Sequence, residues 1–209
     1  MDGFAALVIA LAGYLLGSLS PGYFWTKKET GKDIRGIESG STGATNVSRV
    51  IGKQKALLVG TFDFLKGAVP AFLVLVFWRA DITILALPAI VAGHVFPFYL
   101  NFKGGKGVAA TMGVTFFLLL DALIRHPNPM LWVPVSVVII IGSWLGTYIY
   151  GGRRVSLASV ALMVSLLILF LLLKFPVYTL TVFAMTTLVI FAHRENIIRI
   201  WQGRERKTK

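Results

Sequence analysis

Long apolar runs alternate with short polar connections along the whole chain. Seven such runs occupy 4–19, 56–78, 82–100, 107–124, 130–150, 155–173 and 175–192. Each is near the roughly 20 residues that a helix needs to cross the hydrocarbon core of a bilayer. Lipid offers the backbone no hydrogen bonds, so the economical reading of seven successive runs is seven transmembrane helices. The first run is short, and the last two are separated only by 174–176. Asp2 and the absence of basic residues before the first run argue for a membrane helix there rather than a cleaved leader. The whole of 1–209 is expected to be a single polytopic domain of the all-α class.

Seven spans define two sides, and the basic residues divide unevenly between them. Arg79, Arg125 and Lys174 fall on one side and Lys66 lies inside a run, while the other seventeen of the 21 Lys and Arg share the opposite side. Positive charge stays cytoplasmic, so the N-terminus is expected outside and the C-terminus inside.

Composition supports the bilayer as solvent, with 56% hydrophobic and only 14% charged residues, against about a quarter charged in soluble domains. A net charge of +12 raises the question of nucleic acid, but the basic residues cluster between apolar runs, as membrane topology demands. No nucleic-acid partner is expected, and protein partners are left open. The chain has no cysteine, three histidines and nine acids without metal-binding spacing, so neither a metal nor another cofactor is expected.

The one long polar connection, 26–55, contains Gly31-Lys-Asp-Ile-Arg35, then Glu38-Ser-Gly-Ser-Thr-Gly-Ala-Thr-Asn46 and Arg49. Small and hydroxyl residues let backbone N–H groups approach an anion, and Arg offers a planar fork to phosphate. The same composition also suits a solvated loop capped by Ser and Asn. A second motif, Asn101-Phe-Lys-Gly-Gly-Lys-Gly-Val-Ala-Ala-Thr111, leads into the fourth run, where a helix N-terminus favours anions. It is not a nucleotide-binding P-loop, since Leu100 stands where that motif needs its first glycine. Its bland alternative is a glycine-rich turn with snorkelling Lys103 and Lys106.

Three further constellations sit in or beside the runs. Asp63 and Lys66, at i and i+3, share a helical face and suit a structural ion pair. Gly93-His94-Val-Phe-Pro97 reads as a helix break with a hydrogen-bonded structural histidine. His193-Arg-Glu195-Asn196-Ile-Ile-Arg199 closes the last run and serves either as a headgroup anchor or as part of a site. By themselves these motifs suit a transporter or channel for an anionic metabolite as well as an enzyme. Their gathering on one face and the lack of an inverted repeat favour the enzyme.

Taken in order, Gly-Ser-x-x-x-Gly at 17–22, Ser-Gly-x-x-Gly-Ala-Thr-Asn at 39–46, Asp-x-x-Lys-Gly at 63–67, Gly-His-x-x-Pro at 93–97, Phe-Lys-Gly-Gly-Lys-Gly-Val-Ala at 102–109, Val-Ser-Leu-Ala-Ser at 155–159 and His-Arg-Glu-Asn-Ile at 193–197 give a chain that strongly resembles the bacterial acyl-phosphate:glycerol-3-phosphate acyltransferases, the PlsY family. The resemblance implies a multi-pass enzyme of the bacterial cytoplasmic (inner) membrane with its site on the cytoplasmic side. Such an enzyme transfers a fatty acyl group from acyl phosphate to the 1-hydroxyl of glycerol 3-phosphate, giving lysophosphatidic acid and phosphate, the first step of phospholipid synthesis. Its partners are then glycerol 3-phosphate, acyl phosphate and the lipid bilayer. The resemblance also implies catalytic roles for Ser39, Arg49, Lys106, Ser156, His193 and Asn196, and substrate binding by Thr45, Asn46, Gly104, Gly105 and Gly107. Arg49 and Lys106 would hold phosphate and developing charge, Ser39 and Ser156 would orient oxygens, and His193 would be the general base or a positioning group. The chain departs from the family loop, usually Gly-Ser-Gly-Asn, by carrying Glu38-Ser39-Gly40-Ser41.

Overall fold

The structure, a computed structural model, describes residues 2–78, 81–205 and 207, apart from the side chains of Asp2 and Thr83. Arg79, Arg206 and Lys209, which enter the charge asymmetry, lie outside the described residues. The fold is all-helical, and the chain forms two compact units, Met1–Phe117 and Leu118–Lys209. Among the described residues five helical stretches are long and apolar enough to cross a membrane, and a sixth arises if the bent pair at the C-terminus counts as one.

The first unit opens with α1 (Asp2–Ser18) and α2 (Pro21–Thr30). Pro21 suits the first turn of α2, where its missing N–H loses nothing, and Gly31 at φ 69° caps the far end by donating to Lys27 O. α3 (Ala44–Val50) and α4 (Lys53–Phe77) follow a short 3-10 turn at Ile34–Gly36. Ile34, Val47, Ala56 and Val59 bury together against Tyr23 and Trp25, so much of the connection expected as loop is a small packed fold.

The third expected span, 82–100, is not one helix. It is divided into α5 (Asp81–Ile84), α6 (Pro88–Val95) and a 3-10 turn at Phe98–Leu100. Pro88 starts α6 afresh, and Pro97 pushes Phe96 out of the helical region to φ −123°, ψ 59°. The pieces are secured against α1. Tyr14 donates to Phe96 O at 2.8 Å, and Tyr99 donates to Ser18 O at 2.7 Å while accepting from Ser20 N at 3.1 Å. The α1–α6 seam is backbone on backbone, because a Cβ on Gly17 would lie 2.0 Å from Ile90 O and one on Gly93 2.1 Å from Tyr14 O. α7 (Val108–Arg125) runs from this unit into the second.

The second unit holds most of α7's last two turns, then α8 (Pro129–Tyr150), α9 (Val155–Leu173), α10 (Pro176–Ala192) and α11 (Arg194–Trp201). The tight α9–α10 connection is made by Lys174 at φ 60° and by Pro176 at the first turn of α10. Thr186 ties the two helices by donating to Met163 O at 3.3 Å. At that end Asp121 accepts from Tyr178 at 2.6 Å and pairs with Arg125, whose guanidinium also contacts the Tyr178 hydroxyl and lies 5.1 Å over Phe175. α8 leaves large apolar side chains uncovered, Met130 at 91% and Val138 at 69% among them, as expected of a helix whose solvent is lipid.

Candidate active site

In the first unit, Asn46 builds the loop around Ser39. Its amide Nδ2 faces the carbonyls of Ser41, Ile37 and Ile34 at 2.9, 3.1 and 3.4 Å, and its Oδ1 accepts from Ser39 N at 3.2 Å. Asn46 is buried, so its side chain shapes the loop from within, while Thr45 beside it is exposed. Glu38 stands at φ 56°, a left-handed conformation that glycine adopts at no steric cost. That accounts for glycine being usual at this place in the PlsY pattern. At the neighbouring departure, Ser41 Oγ accepts from Gly43 N at 3.3 Å, keeping an internal loop contact.

Arg35 belongs to the framework. It donates to Asp33 through Nε at 3.0 Å and Nη2 at 2.6 Å, and through Nη1 to Leu100 O at 2.5 Å. The hydrogen bond from Arg35 holds the Asp33 carboxyl below the usual carboxylate range. Arg49, in the last turn of α3, is exposed. Among the described residues neither its guanidinium nor the Ser39 hydroxyl has a hydrogen-bond partner, which leaves both available to a ligand.

The glycine motif joins this loop directly, since Thr42 N donates to Gly104 O at 3.4 Å. Gly104 N and Gly105 N donate to Val95 O and His94 O, each at 3.0 Å. Two N–H groups expected to face an anion therefore fasten the loop to the segment ending α6. The donors left for a ligand are those that begin α7, which helix geometry leaves without helical acceptors. Gly107, at φ 81°, turns the chain into that helix, and half-buried Lys106 precedes it. Basic side chains and a helix N-terminus thus sit on two joined loops, an arrangement that suits phosphate.

Beneath the loop lies a buried cluster that unites two motifs of the sequence. Lys66 Nζ is 2.8 Å from Asp63 Oδ1, 2.7 Å from His94 Nδ1 and 2.9 Å from Leu19 O. The ion pair was expected from spacing, whereas its union with His94 was not.

In the second unit, Ser156 opens α9, and His193 marks the 57° bend between α10 and α11. His193 is 2% exposed, and its Nδ1 lies 2.8 Å from Val189 O. A carbonyl only accepts, so Nδ1 carries a proton. Ser156 and Asn196 are brought together by a residue that the sequence reading did not name. Glu205 Oε1 accepts from Ser156 Oγ at 2.6 Å and from Asn196 Nδ2 at 2.8 Å, while Oε2 accepts from Arg199 Nε at 3.1 Å. Burial pushes the Glu205 carboxyl up, but these three donors outweigh it and hold the group below its ordinary range. The available signal was an acid isolated in the basic tail Arg204-Glu-Arg-Lys207.

Comparisons with known proteins agree with this architecture. The family model described as glycerol-3-phosphate acyltransferase matches residues 7–203. The glycerol-3-phosphate acyltransferase of Aquifex aeolicus is 37% identical over 97% of this chain and 98% of its own. That of Thermus thermophilus is 35% identical over 97% and 95%. The crystal structure of PlsY (YgiH), an integral membrane glycerol 3-phosphate acyltransferase, in its glycerol 3-phosphate form aligns with a TM-score of 0.82 at 33% identity, covering 98% of this chain and 96% of that one. The lysophosphatidic acid form aligns with a TM-score of 0.79 at 32% identity, covering 98% and 95%. With a family match through both units and relatives similar over nearly their full length, this integral membrane chain belongs to the glycerol-3-phosphate acyltransferase family.

Proposed function

We propose that this chain transfers a fatty acyl group from acyl phosphate to the 1-hydroxyl of glycerol 3-phosphate, at the cytoplasmic face of a bacterial inner membrane. The observation that carries the reading is the junction of the two loops at Thr42 and Gly104, with Lys106 on the second and Arg49 in the helix that follows the first. Both substrates bear phosphate, and such a pair of loops suits an anion better than a neutral ligand. The similar PlsY structures are a glycerol 3-phosphate form and a lysophosphatidic acid form, an acceptor and a product of this reaction. Reading the whole chain as a single enzyme domain of seven spans with the C-terminus inside belongs to the same proposal. Its supports are the family match over 7–203 and the uneven distribution of Lys and Arg.

In the proposed step, the 1-hydroxyl oxygen attacks the acyl carbonyl carbon, the bond from that carbon to the phosphate oxygen breaks, and phosphate departs. Arg49, Lys106 and the α7 N-terminus hold phosphate oxygens and offset charge as the carbonyl becomes tetrahedral. Ser39 and Ser156 orient oxygens, Asn196 supports Ser156 through Glu205, and Thr45 lines the acceptor side. The hydroxyl proton passes to His193 Nε2 or to the departing phosphate. The deciding experiment presents the purified, lipid-reconstituted protein with glycerol 3-phosphate and acyl phosphate, acyl coenzyme A or acylated carrier protein in turn. Release of phosphate with formation of lysophosphatidic acid is expected from acyl phosphate alone. Turnover confined to either thioester would overturn the donor assignment.

A further inference from the structure

Asp63, Lys66 and His94 have no part in the chemistry proposed above, yet their side chains are 3%, 1% and 5% exposed. Burying an ion pair costs more than burying apolar residues of the same volume, and such a pair is best attested where it fixes one arrangement over others. The three side chains are in direct contact. Lys66 Nζ lies within 2.9 Å of Leu19 O and His94 Nδ1, and 2.8 Å from Asp63 Oδ1 as an ion pair. His94 Nδ1 also lies 3.4 Å from Asp63 Oδ1, so the same edge of the ring meets both members of the ion pair. The imidazole is thereby fixed in position.

Gly105 of the glycine loop packs directly on this side chain. Gly105 N donates to His94 O and Gly104 N to the next carbonyl. A Cβ built on Gly105 would meet Nε2 at 2.0 Å, Cε1 at 2.7 Å and Cδ2 at 2.9 Å, all three atoms belonging to the His94 ring. Asp63 and Lys66 cancel in charge, so the cluster contributes shape rather than attraction. We propose that Asp63, Lys66 and His94 are positioning residues that template the Gly104–Gly107 path, and through it the placement of Lys106 and the α7 N-terminus on the phosphate of glycerol 3-phosphate. The inference rests on the reading of that loop as the glycerol 3-phosphate site.

His94→Asn keeps an acceptor for Lys66 and removes the ring under Gly105. In the full-length reconstituted enzyme it raises the KM for glycerol 3-phosphate by about tenfold or more, with kcat within about threefold and the KM for acyl phosphate unchanged. A contact merely holding helices together would instead lower the thermal midpoint and the active fraction, leaving both KM values alone. Gly105→Ala raises the same KM, but in the His94→Ala background its penalty disappears, because the three atoms nearest the new methyl have gone. Penalties that multiply in the double variant, or an unchanged glycerol 3-phosphate KM in His94→Asn, would overturn the triad while leaving the loop's role intact. An unchanged KM in Gly105→Ala alone would instead defeat the reading of the loop. If His94→Asn does not yield folded protein, Asp63→Asn, which retains an oxygen for Lys66, is read by the same pair of KM values.

Discussion

The hydroxyl of Ser156 and the carboxylate of Glu205 lie 2.6 Å apart across 49 positions of sequence, and the same Glu205 oxygen takes the amide of Asn196. Glu205→Gln keeps the shape but turns one acceptor oxygen into a donor. Hydrogen bonds involving a charged partner contribute about 1.5–3 kcal/mol each, so a measurable fall in thermal midpoint and at least a tenfold loss of acyl transfer are expected. The Glu205 pKa is lowered in the folded chain, so its contribution is complete above the ordinary glutamate pKa of about 4.3 and is lost as pH falls through the folded value. Thermal midpoints measured from pH 7 down to about pH 3 should therefore decline more in the parent than in Glu205→Gln. Parallel decline in the two would remove Glu205 from that role.

Arg49→Lys separates charge from fork. If the guanidinium grips phosphate through two nitrogens, lysine fails to replace it, and kcat/KM drops by well over tenfold, more than about 1.4 kcal/mol. Near-normal turnover in the lysine variant would reduce Arg49 to a diffuse positive charge.

For His193 the informative pair is alanine and asparagine. A general base accounts for roughly 10²–10⁴ in rate, and asparagine cannot take up a proton at neutral pH, so both variants should fail alike. Recovery of most activity by asparagine would make His193 a positioning group and move the proton to the departing phosphate.

Topology has a direct assay in single cysteines at exposed positions of this cysteine-free chain. Asn101 and Lys207 are expected to react from the cytoplasmic side, and Asn128 and Lys174 from the other. Any exchange of sides would break the seven-span assignment.

The long helices were legible because their signal is length and apolarity, and α4, α7, α8, α9 and α10 lie within a few residues of the runs that announced them. The division of 82–100 was less visible. The end of a helix at Gly93-His94-Val-Phe-Pro97 was read from sequence, but the restart at Pro88 was not, because apolarity measures length without revealing continuity. α2 was hidden for the opposite reason, since Lys27, Lys28, Glu29 and Thr30 make its second half look like connection. Within the candidate site, residue types at loop and helix ends pointed to Arg49, Lys106 and His193, while Ser156 came only from the family resemblance. Contacts distant in sequence left no trace there: Lys66 reaches His94 over 28 positions, and Glu205 sits among basic neighbours that suggest only a tail.

The α1–α6 seam sets a rule for sequence drift. At Gly17 and Gly93 the atom that any other residue would add is within 2.1 Å of a carbonyl oxygen of the opposite helix. No rotamer avoids the clash, since it arises at Cβ, before the first side-chain torsion begins. Neighbouring lipid-facing positions such as Leu11 and Leu15 can exchange one apolar residue for another freely. A saturation library selected for function should therefore show two columns that admit glycine alone, one in α1 and one in α6. Those columns would report the distance between two backbones and nothing of the chemistry beyond them.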